Sequence, residues 1–227
     1  RITLDPDGQT MDVDLRNNTT KMDYKVTFNW PGMRYNPRDK IVYKWLPSLY
    51  YNDQDGYAPG IRIDRSYGEW EKKRYWINYA LNKDPLKNKN NFYWSYLNVF
   101  KPIHSMRNTR FKLWGFSQPG LQEIGGEIEK KWSKTYRKSP YHVNKAGFYI
   151  QPKVDTLRTN LYDSGKLAVV YLKHKIYNNY IDFDSEVSSS VDPYSDWSFN
   201  RVTFSSTFKF SDPFSINNIL RYAGFTY

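Results

Sequence analysis

The sequence predicts an all-β fold. Apolar and polar residues alternate with a period of two in one segment after another, and residues two apart point to the same side of a strand. Aromatic residues make up 19% of the 227 residues, with 21 Tyr and 8 Trp, although the mean hydropathy is -0.81. A disordered chain of this polarity would be poor in aromatic residues. The chain is therefore expected to fold into amphipathic strands.

About twelve strands are predicted, many about 9–11 residues long, against a mean of about 5–6 residues in globular proteins. The clearest alternation lies near the two ends of the chain, at Tyr24, Val26, Phe28 and Trp30, and at Val202, Phe204, Phe208 and Phe210. The other candidate strands are residues 41–51, 60–67, 74–81, 92–100, 110–117, 121–132, 147–157, 166–177, 181–190 and 219–227.

Turn-forming residues separate these segments. Pro-Gly occurs at residues 31–32, 59–60 and 119–120, and Asp-Ser-Gly occurs at residues 163–165. Pro fixes φ at one turn position and Gly supplies a positive φ at the next, so each pair predicts a turn. Residues 83–91 and 133–145 are rich in Lys, Asn and Ser, which predicts solvated loops.

Long amphipathic strands form either a soluble β-sandwich, with the apolar face inward, or a transmembrane β-barrel, whose apolar face meets lipid. Long strands, basic and hydroxylated polar faces, and Tyr and Trp near strand ends favour an antiparallel transmembrane β-barrel of about twelve strands. We assign residues 21–227 to this barrel and residues 1–20, with their four Asp, to the end of a preceding β domain or a linker. Residues 166–175 are polar on both faces, which keeps the soluble sandwich open as the alternative.

The barrel prediction places particular side chains in two environments. The residues predicted to face the membrane are Val26, Phe28, Val202, Phe204, Phe208 and Phe210. The aromatic residues predicted at the boundary of hydrocarbon and water are Trp45, Tyr50, Trp76, Trp94 and Trp197. Such rings are apolar, and their OH or NH groups need a polar partner. The C-terminal residues Phe225-Thr226-Tyr227 also resemble the signal strand that ends outer-membrane barrels.

The formal net charge of +11 predicts an anionic partner: lipid, glycan or nucleic acid. Basic runs lie at residues 72–74 and between residues 130 and 138, with aromatic residues among them. In a strand architecture they suit the phosphates of outer-membrane lipid, including lipopolysaccharide, better than nucleic acid, which is not expected to bind. The chain has no Cys, which excludes disulfides and thiolate chemistry.

No catalytic motif is found in this chain. The three histidines lie in separate segments, as His104, His142 and His174. Residues 5–8 and 53–56 read Asp-x-Asp-Gly, which opens calcium loops but also makes a good turn, and the closing Glu is absent. Three carboxylates share one candidate strand and are interpreted as its polar face: Glu123, Glu127 and Glu129. We therefore predict no catalytic residue, metal ligand or cofactor in this chain.

Two stretches resemble a known family. Residues 4–14 (LDPDGQTMDVD), followed by Asn17-Asn18, resemble the strand that closes the β-sandwich after the catalytic domain of gluzincin (aminopeptidase-N-like) zinc metallopeptidases. Residues 44–53 (KWLPSLYYND) with 55–57 and 59–60 are similar to the barrel region appended to some bacterial members. The H-E-x-x-H helix of the family has no counterpart here. The resemblance implies the C-terminal part of a larger surface metallopeptidase, with a catalytic domain or other subunits as partners.

The sequence thus predicts a β-barrel of the bacterial outer membrane that acts as a membrane anchor or a pore. The alternative is a soluble β-sandwich module that binds glycan or nucleic acid through Trp and Tyr stacking platforms.

Overall fold

The computed structural model describes residues 23–28, 40–53, 56–68, 71–84, 89–101, 106, 108–118, 121–132, 141–154, 165–178, 181–208 and 218–226. The strands are β1 (Asp23–Phe28), β2 (Lys40–Asn52), β3 (Gly56–Tyr67), β4 (Glu71–Asp84), β5 (Lys89–Phe100), β6 (Thr109–Gln118), β7 (Leu121–Trp132), β8 (Tyr141–Val154), β9 (Gly165–Tyr177), β10 (Ile181–Ser190), β11 (Asn200–Phe208) and β12 (Asn218–Thr226). The predicted all-β class is confirmed, while closure of the strands into a barrel stays a prediction. Residues 1–20, assigned to a preceding domain or linker, lie outside the described part. Within the described residues, no helix has the length and apolar character needed to cross a membrane.

The strands fall into two compact units. The first contains β1 to β5 and the end of β6. In it, β2, β3, β4 and β5 pair antiparallel in chain order. The register places Trp45 opposite Ile63, Ile63 opposite Tyr75, and Tyr75 opposite Tyr96. Directly opposite residues share a face of the sheet, so these four side chains form one row across four strands.

The pairing of β1 corrects the prediction of a wholly antiparallel sheet. β1 runs parallel to β2, with Val26 opposite Tyr43 and Phe28 opposite Trp45. Eleven residues separate the two strands. A parallel pair needs a crossover of about a dozen residues, whereas an antiparallel hairpin closes with a tight turn. The alternation pattern shows that β1 is a strand but carries no information about its direction.

The second unit contains most of β6 together with β7 to β12. The pairs from β7 to β12 are all antiparallel and follow the chain order. The ladder is interrupted by an irregularity between Gln122 and Ile124 in β7, and by another between Gln151 and Val154 in β8. Both lie toward the ends of their strands, so the central rows keep an unbroken register across five strands.

Two turn and loop predictions are wrong. Pro59-Gly60 lies inside β3, where Ser48 of β2 pairs with Gly60; β3 begins instead at Gly56, which has a φ of +68°. Residues 141–145, predicted as part of a solvated loop, open β8. Lys145 there lies opposite Glu129, so its charge is matched across the strand pair. In the Asp53–Gly56 motif, Asp53 directly follows β2 and Gly56 is the first residue of β3, while residues 54 and 55 lie outside the described part.

Candidate functional site

The first unit has one polar and one apolar face, because side chains alternate along each strand. Its polar face contains Lys44, Ser48, Tyr50, Ala58, Gly60, Arg62, Asp64, Lys72, Arg74, Trp76, Asn78, Ala80 and Tyr93, together with the aliphatic residues Val42, Leu46, Leu97 and Val99. Its apolar face contains Trp45, Leu49, Tyr51, Tyr57, Ile61, Ile63, Tyr75, Ile77, Tyr79, Leu81, Phe92, Trp94 and Tyr96, and near one end the charged residues Arg65, Glu71 and Lys73.

Exposure on these two faces is the reverse of that in a water-soluble sheet. Lys44 and Asp64 on the polar face are only 9% and 7% exposed. On the apolar face, Leu49 and Leu81 are 67% and 61% exposed. Soluble proteins shield large apolar side chains from solvent and leave charged ones in water. In the first unit, Lys44 and Asp64 are therefore shielded from solvent, whereas large apolar side chains are exposed to it.

An ion cluster occupies one end of the polar face. Asp64 accepts hydrogen bonds from Arg62 Nε at 3.2 Å and Nη2 at 2.6 Å, and from Arg74 Nε at 2.8 Å. Lys44 lies directly opposite Asp64 in the β2–β3 register. A shielded carboxylate needs such partners, since desolvation of an unpaired charge is costly. Three cationic residues therefore lie around one carboxylate at this end of the face.

The other end of the polar face holds a small packed cluster. The ring of Tyr50 meets those of Trp76 and Tyr93 edge to face, with centroids 5.6 Å away in both cases. Ala58 and Ala80 lie against these rings and are fully buried. Edge-to-face packing of this kind stabilises aromatic pairs beyond their buried area. Packed side chains thus cover this end of the polar face.

In the second unit, a chain of ion pairs crosses the polar face. Arg110 Nη2 lies 2.6 Å from Glu129, and Lys145 Nζ lies 3.1 Å from both Glu129 and Glu127. The hydroxyl of Tyr171 donates to Glu127 at 2.9 Å. Each carboxylate has at least two donors, so its charge is compensated away from bulk water. These contacts tie β6, β7, β8 and β9 together through side chains.

The ion pairs continue into β10 and β11. Glu186 lies 2.6 Å from Lys173 and 3.2 Å from Arg201. Arg201 Nε also donates to the hydroxyl of Ser188 at 3.3 Å. The contacts thus form two groups on this face, one across β6 to β9 and one across β9 to β11.

Two glycines make room for aromatic rings on the same face. A Cβ added at Gly147 would lie 2.5 Å from the Tyr171 ring, and one added at Gly125 would lie 2.3 Å from the Trp114 ring. The indole nitrogen of Trp114 donates to Glu123 at 2.6 Å. A ring laid over a cross-strand glycine covers its exposed backbone and helps to fix strand register.

We expect Tyr171→Phe to lower the free energy of unfolding by about 1.5 kcal/mol, because hydrogen bonds to charged groups contribute about 1.5–3 kcal/mol and Glu127 keeps Lys145. The matched control is Tyr57→Phe, at an exposed position of the apolar face, where the change should stay within about 0.5 kcal/mol. Denaturant titration followed by tryptophan fluorescence measures both. Equal effects in the two variants would contradict the role given to the Glu127 hydrogen bond.

The opposite face of the second unit carries exposed apolar side chains. They are Ile124, Ile128, Phe148, Ile150, Val170, Leu172, Val187, Val202 and Phe204. One row runs without a break across five strands: Ile128, Ala146, Leu172, Val187 and Val202. A neighbouring row is polar, with Lys130 opposite Asn144 and Asn144 opposite His174. The apolar band is therefore continuous across β7 to β11, and a row of polar residues borders it on one side.

The structure describes most of the predicted membrane-facing residues. Val26, Phe28, Val202 and Phe204 are all exposed, with Val202 and Phe204 on the apolar face of the second unit. Phe28 packs edge to face on Trp45, at a centroid distance of 5.1 Å. Phe208 pairs with Ile181 through the backbone, and Phe210 lies outside the described residues.

The predicted boundary aromatics do not share one environment. Trp45 and Trp94 lie on the apolar face of the first unit, whereas Tyr50 and Trp76 lie on its polar face. Trp197 lies in the connection between β10 and β11, against Gly165. Tyr and Trp have an apolar ring and a polar group, so they occur on both faces of a strand. Aromatic character alone therefore does not assign Tyr50 and Trp76 to a face.

Sequence reasoning recognised Glu123, Glu127 and Glu129 as one polar strand face and missed their partners. Tyr171 and Lys145 lie far from these carboxylates in sequence, and only the strand register brings them together. One sequence feature indicates that Tyr171 and Lys173 share the polar face of β9: they alternate with apolar residues.

Metal chemistry finds no support in the described residues. No group of three or more His, Asp and Glu side chains there could hold a metal ion. The rings of His142 and His174 lie 5.5 Å apart, on the apolar side of the second unit. His104 lies outside the described part. The predicted lack of a cofactor stays a prediction.

Comparison of the chain with models of known protein families, with curated protein sequences and with solved structures returned no match. The polar and apolar faces themselves are therefore the basis for a functional proposal.

Proposed function

We propose that this chain is a transmembrane β-barrel of the bacterial outer membrane, with its apolar faces in lipid and its polar faces lining the interior. The observation that carries the proposal is the reversed exposure of the two faces: charged side chains are shielded and large apolar ones are presented. In water this arrangement is unfavourable, since a large exposed apolar surface promotes association. In a bilayer it is the expected arrangement of a barrel with a polar interior.

Strand length supports the same proposal. β2, β3 and β4 contain 13, 12 and 14 residues. A tilted strand needs about 9–11 residues to cross the hydrocarbon. Closure of the sheet is part of the proposal, because a barrel leaves no unpaired strand edge in a medium without water.

The biological role that we propose is that of a membrane anchor, or of a pore where the interior is not filled. Attachment to a zinc metallopeptidase domain follows only from the resemblance to gluzincins of residues 4–14 with Asn17-Asn18, and of residues 44–53 with 55–57 and 59–60. In that arrangement the barrel would hold the catalytic domain at the cell surface, with outer-membrane lipid as its direct partner.

Membrane extraction tests the proposal. We express the chain with an export signal in a Gram-negative host and wash the membranes with sodium carbonate, with a peripheral membrane protein as the control. The chain should stay in the pellet while the control is released, and it should be monodisperse only in detergent. Release by carbonate together with a monodisperse species in plain buffer would establish the alternative, a soluble β-sandwich module.

A further inference from the structure

The basic run Lys72-Lys73-Arg74 is divided between the two faces of the first unit. Lys73 shares its face with Tyr75 and Ile77, whereas Lys72 and Arg74 belong to the polar face. In the β3–β4 register, Lys73 lies directly opposite Arg65. Two cations of adjacent strands therefore stand together on the side that carries the apolar band.

Among the described residues, Lys73 and Arg65 share one acidic partner. Arg65 Nη1 lies 2.6 Å and Lys73 Nζ lies 2.9 Å from the same oxygen of Glu71. The three side chains are 18–28% exposed, so they are partly shielded but remain accessible. One carboxylate neutralises one of the two cations, which leaves an excess positive charge at this position.

The surroundings of this cation pair change in a regular order along the strands. The next row holds Ile63 opposite Tyr75, and the ring of Tyr75 lies 5.2 Å from that of Tyr96. The row after it holds Ile61 opposite Ile77. Each row advances by about 7 Å along the strand. Membrane proteins show the same order with depth: cations at the lipid headgroups, aromatic rings at the boundary, and aliphatic side chains in the hydrocarbon.

The far side of the band has its own aromatic border. Tyr51 and Tyr57 lie opposite each other, with ring centroids 5.1 Å apart. Arg65 lies eight positions after Tyr57 on β3, about 26 Å along the strand. With a strand tilt of about 35–45°, this segment is about 18–21 Å tall, somewhat less than the apolar band of about 25 Å in outer-membrane barrels. The cation pair thus stands at one edge of this band.

We propose that Arg65 and Lys73 form a binding site for the phosphate of an anionic phospholipid headgroup, with the acyl chains lying over Tyr75 and Ile77. This inference rests on the proposed function and names the lipid class that the apolar face prefers. A headgroup phosphate bridges the two cations and neutralises the charge that Glu71 leaves uncompensated. A free phosphate would gain nothing from the apolar rows beside the cations, so the occupant is a lipid.

Quenching of tryptophan fluorescence by brominated acyl chains tests the site. The protein is reconstituted in bilayers with brominated phosphatidylglycerol or brominated phosphatidylcholine, and Trp45 on the same face reports lipid contact. We expect a preference for phosphatidylglycerol that weakens with added salt. Lys73→Gln should lower the preference about fivefold, the effect of one basic residue near an anionic surface. Lys73→Arg should restore it.

Lys72→Gln is the matched control, because it removes the same charge one residue away on the opposite face and should leave the preference unchanged. Equal quenching by both lipids, or an equal loss in Lys72→Gln and Lys73→Gln, overturns the headgroup site and leaves the membrane proposal standing. Quenching by neither lipid overturns the membrane proposal itself, and the headgroup site with it.

Discussion

Leu172→Arg should destabilise the protein by about 2 kcal/mol in a bilayer, because a cation on the lipid side of a barrel costs about 2–4 kcal/mol at the midplane and less toward the polar border, which lies one row from Leu172. Leu172 is 65% exposed and lies in the centre of the unbroken apolar row, between Ala146 and Val187. In water the same change would replace exposed hydrocarbon with a charge, and its effect would stay within about 0.5 kcal/mol. Denaturant titration of the reconstituted protein measures the change in unfolding free energy, and the size of that change shows whether Leu172 faces lipid or water.

Tyr194→Arg is the matched control for Leu172→Arg. Tyr194 is 67% exposed, like Leu172, but lies in the connection between β10 and β11 rather than in a strand. Arginine there should change the unfolding free energy by less than about 0.5 kcal/mol in either environment. If Leu172→Arg were as mild as Tyr194→Arg in reconstituted protein, the apolar row would not face hydrocarbon, and the barrel proposal would fail.

The all-β class could be predicted because it depends on local information. A period of two in hydrophobicity fixes which residues share a face, whatever each strand pairs with. Val202 and Phe204 were placed on an apolar face by this rule alone, and they lie there. The same rule identified the carboxylates of β7 as one polar face.

Pairing and packing could not be predicted because they depend on contacts between distant segments. Nothing in residues 23–28 indicates that β1 runs parallel to β2. The partner of Glu127 is Tyr171, 44 positions later, and only the β7–β8 and β8–β9 registers bring them together. Tyr50 and Trp76 were assigned to the membrane boundary by residue type, yet they pack on each other within the polar face. Amphipathic aromatic residues suit both places, so residue type does not distinguish them.

Gly60 was assigned to a turn from its sequence, but it is needed because a neighbouring strand approaches it closely. Pro-Gly predicts a turn, but Gly60 lies inside β3 and pairs with Asn78 at one end of the β3–β4 ladder. A Cβ at this position would lie 1.9 Å from the carbonyl oxygen of Ile77 and 2.7 Å from the Cα of Asn78. Both are backbone atoms, so they cannot move aside without separating the two strands. The glycine is therefore required by close approach of the neighbouring strand.

Gly60→Ala should consequently lower the unfolding free energy by about 3 kcal/mol, the upper end of the usual cost of overpacking. Gly126→Ala is the control, since Gly126 is also a strand glycine and its added Cβ would meet only side-chain atoms, of Phe148 at 3.0 Å and Leu113 at 3.2 Å. Those side chains can rotate, and alanine also restricts the unfolded chain, which offsets about 0.4–1 kcal/mol. Gly126→Ala should therefore be much milder in the same denaturant titration. Equal costs would mean that the β3–β4 spacing at Gly60 does not limit the residue there, and that strand propensity alone sets the effect.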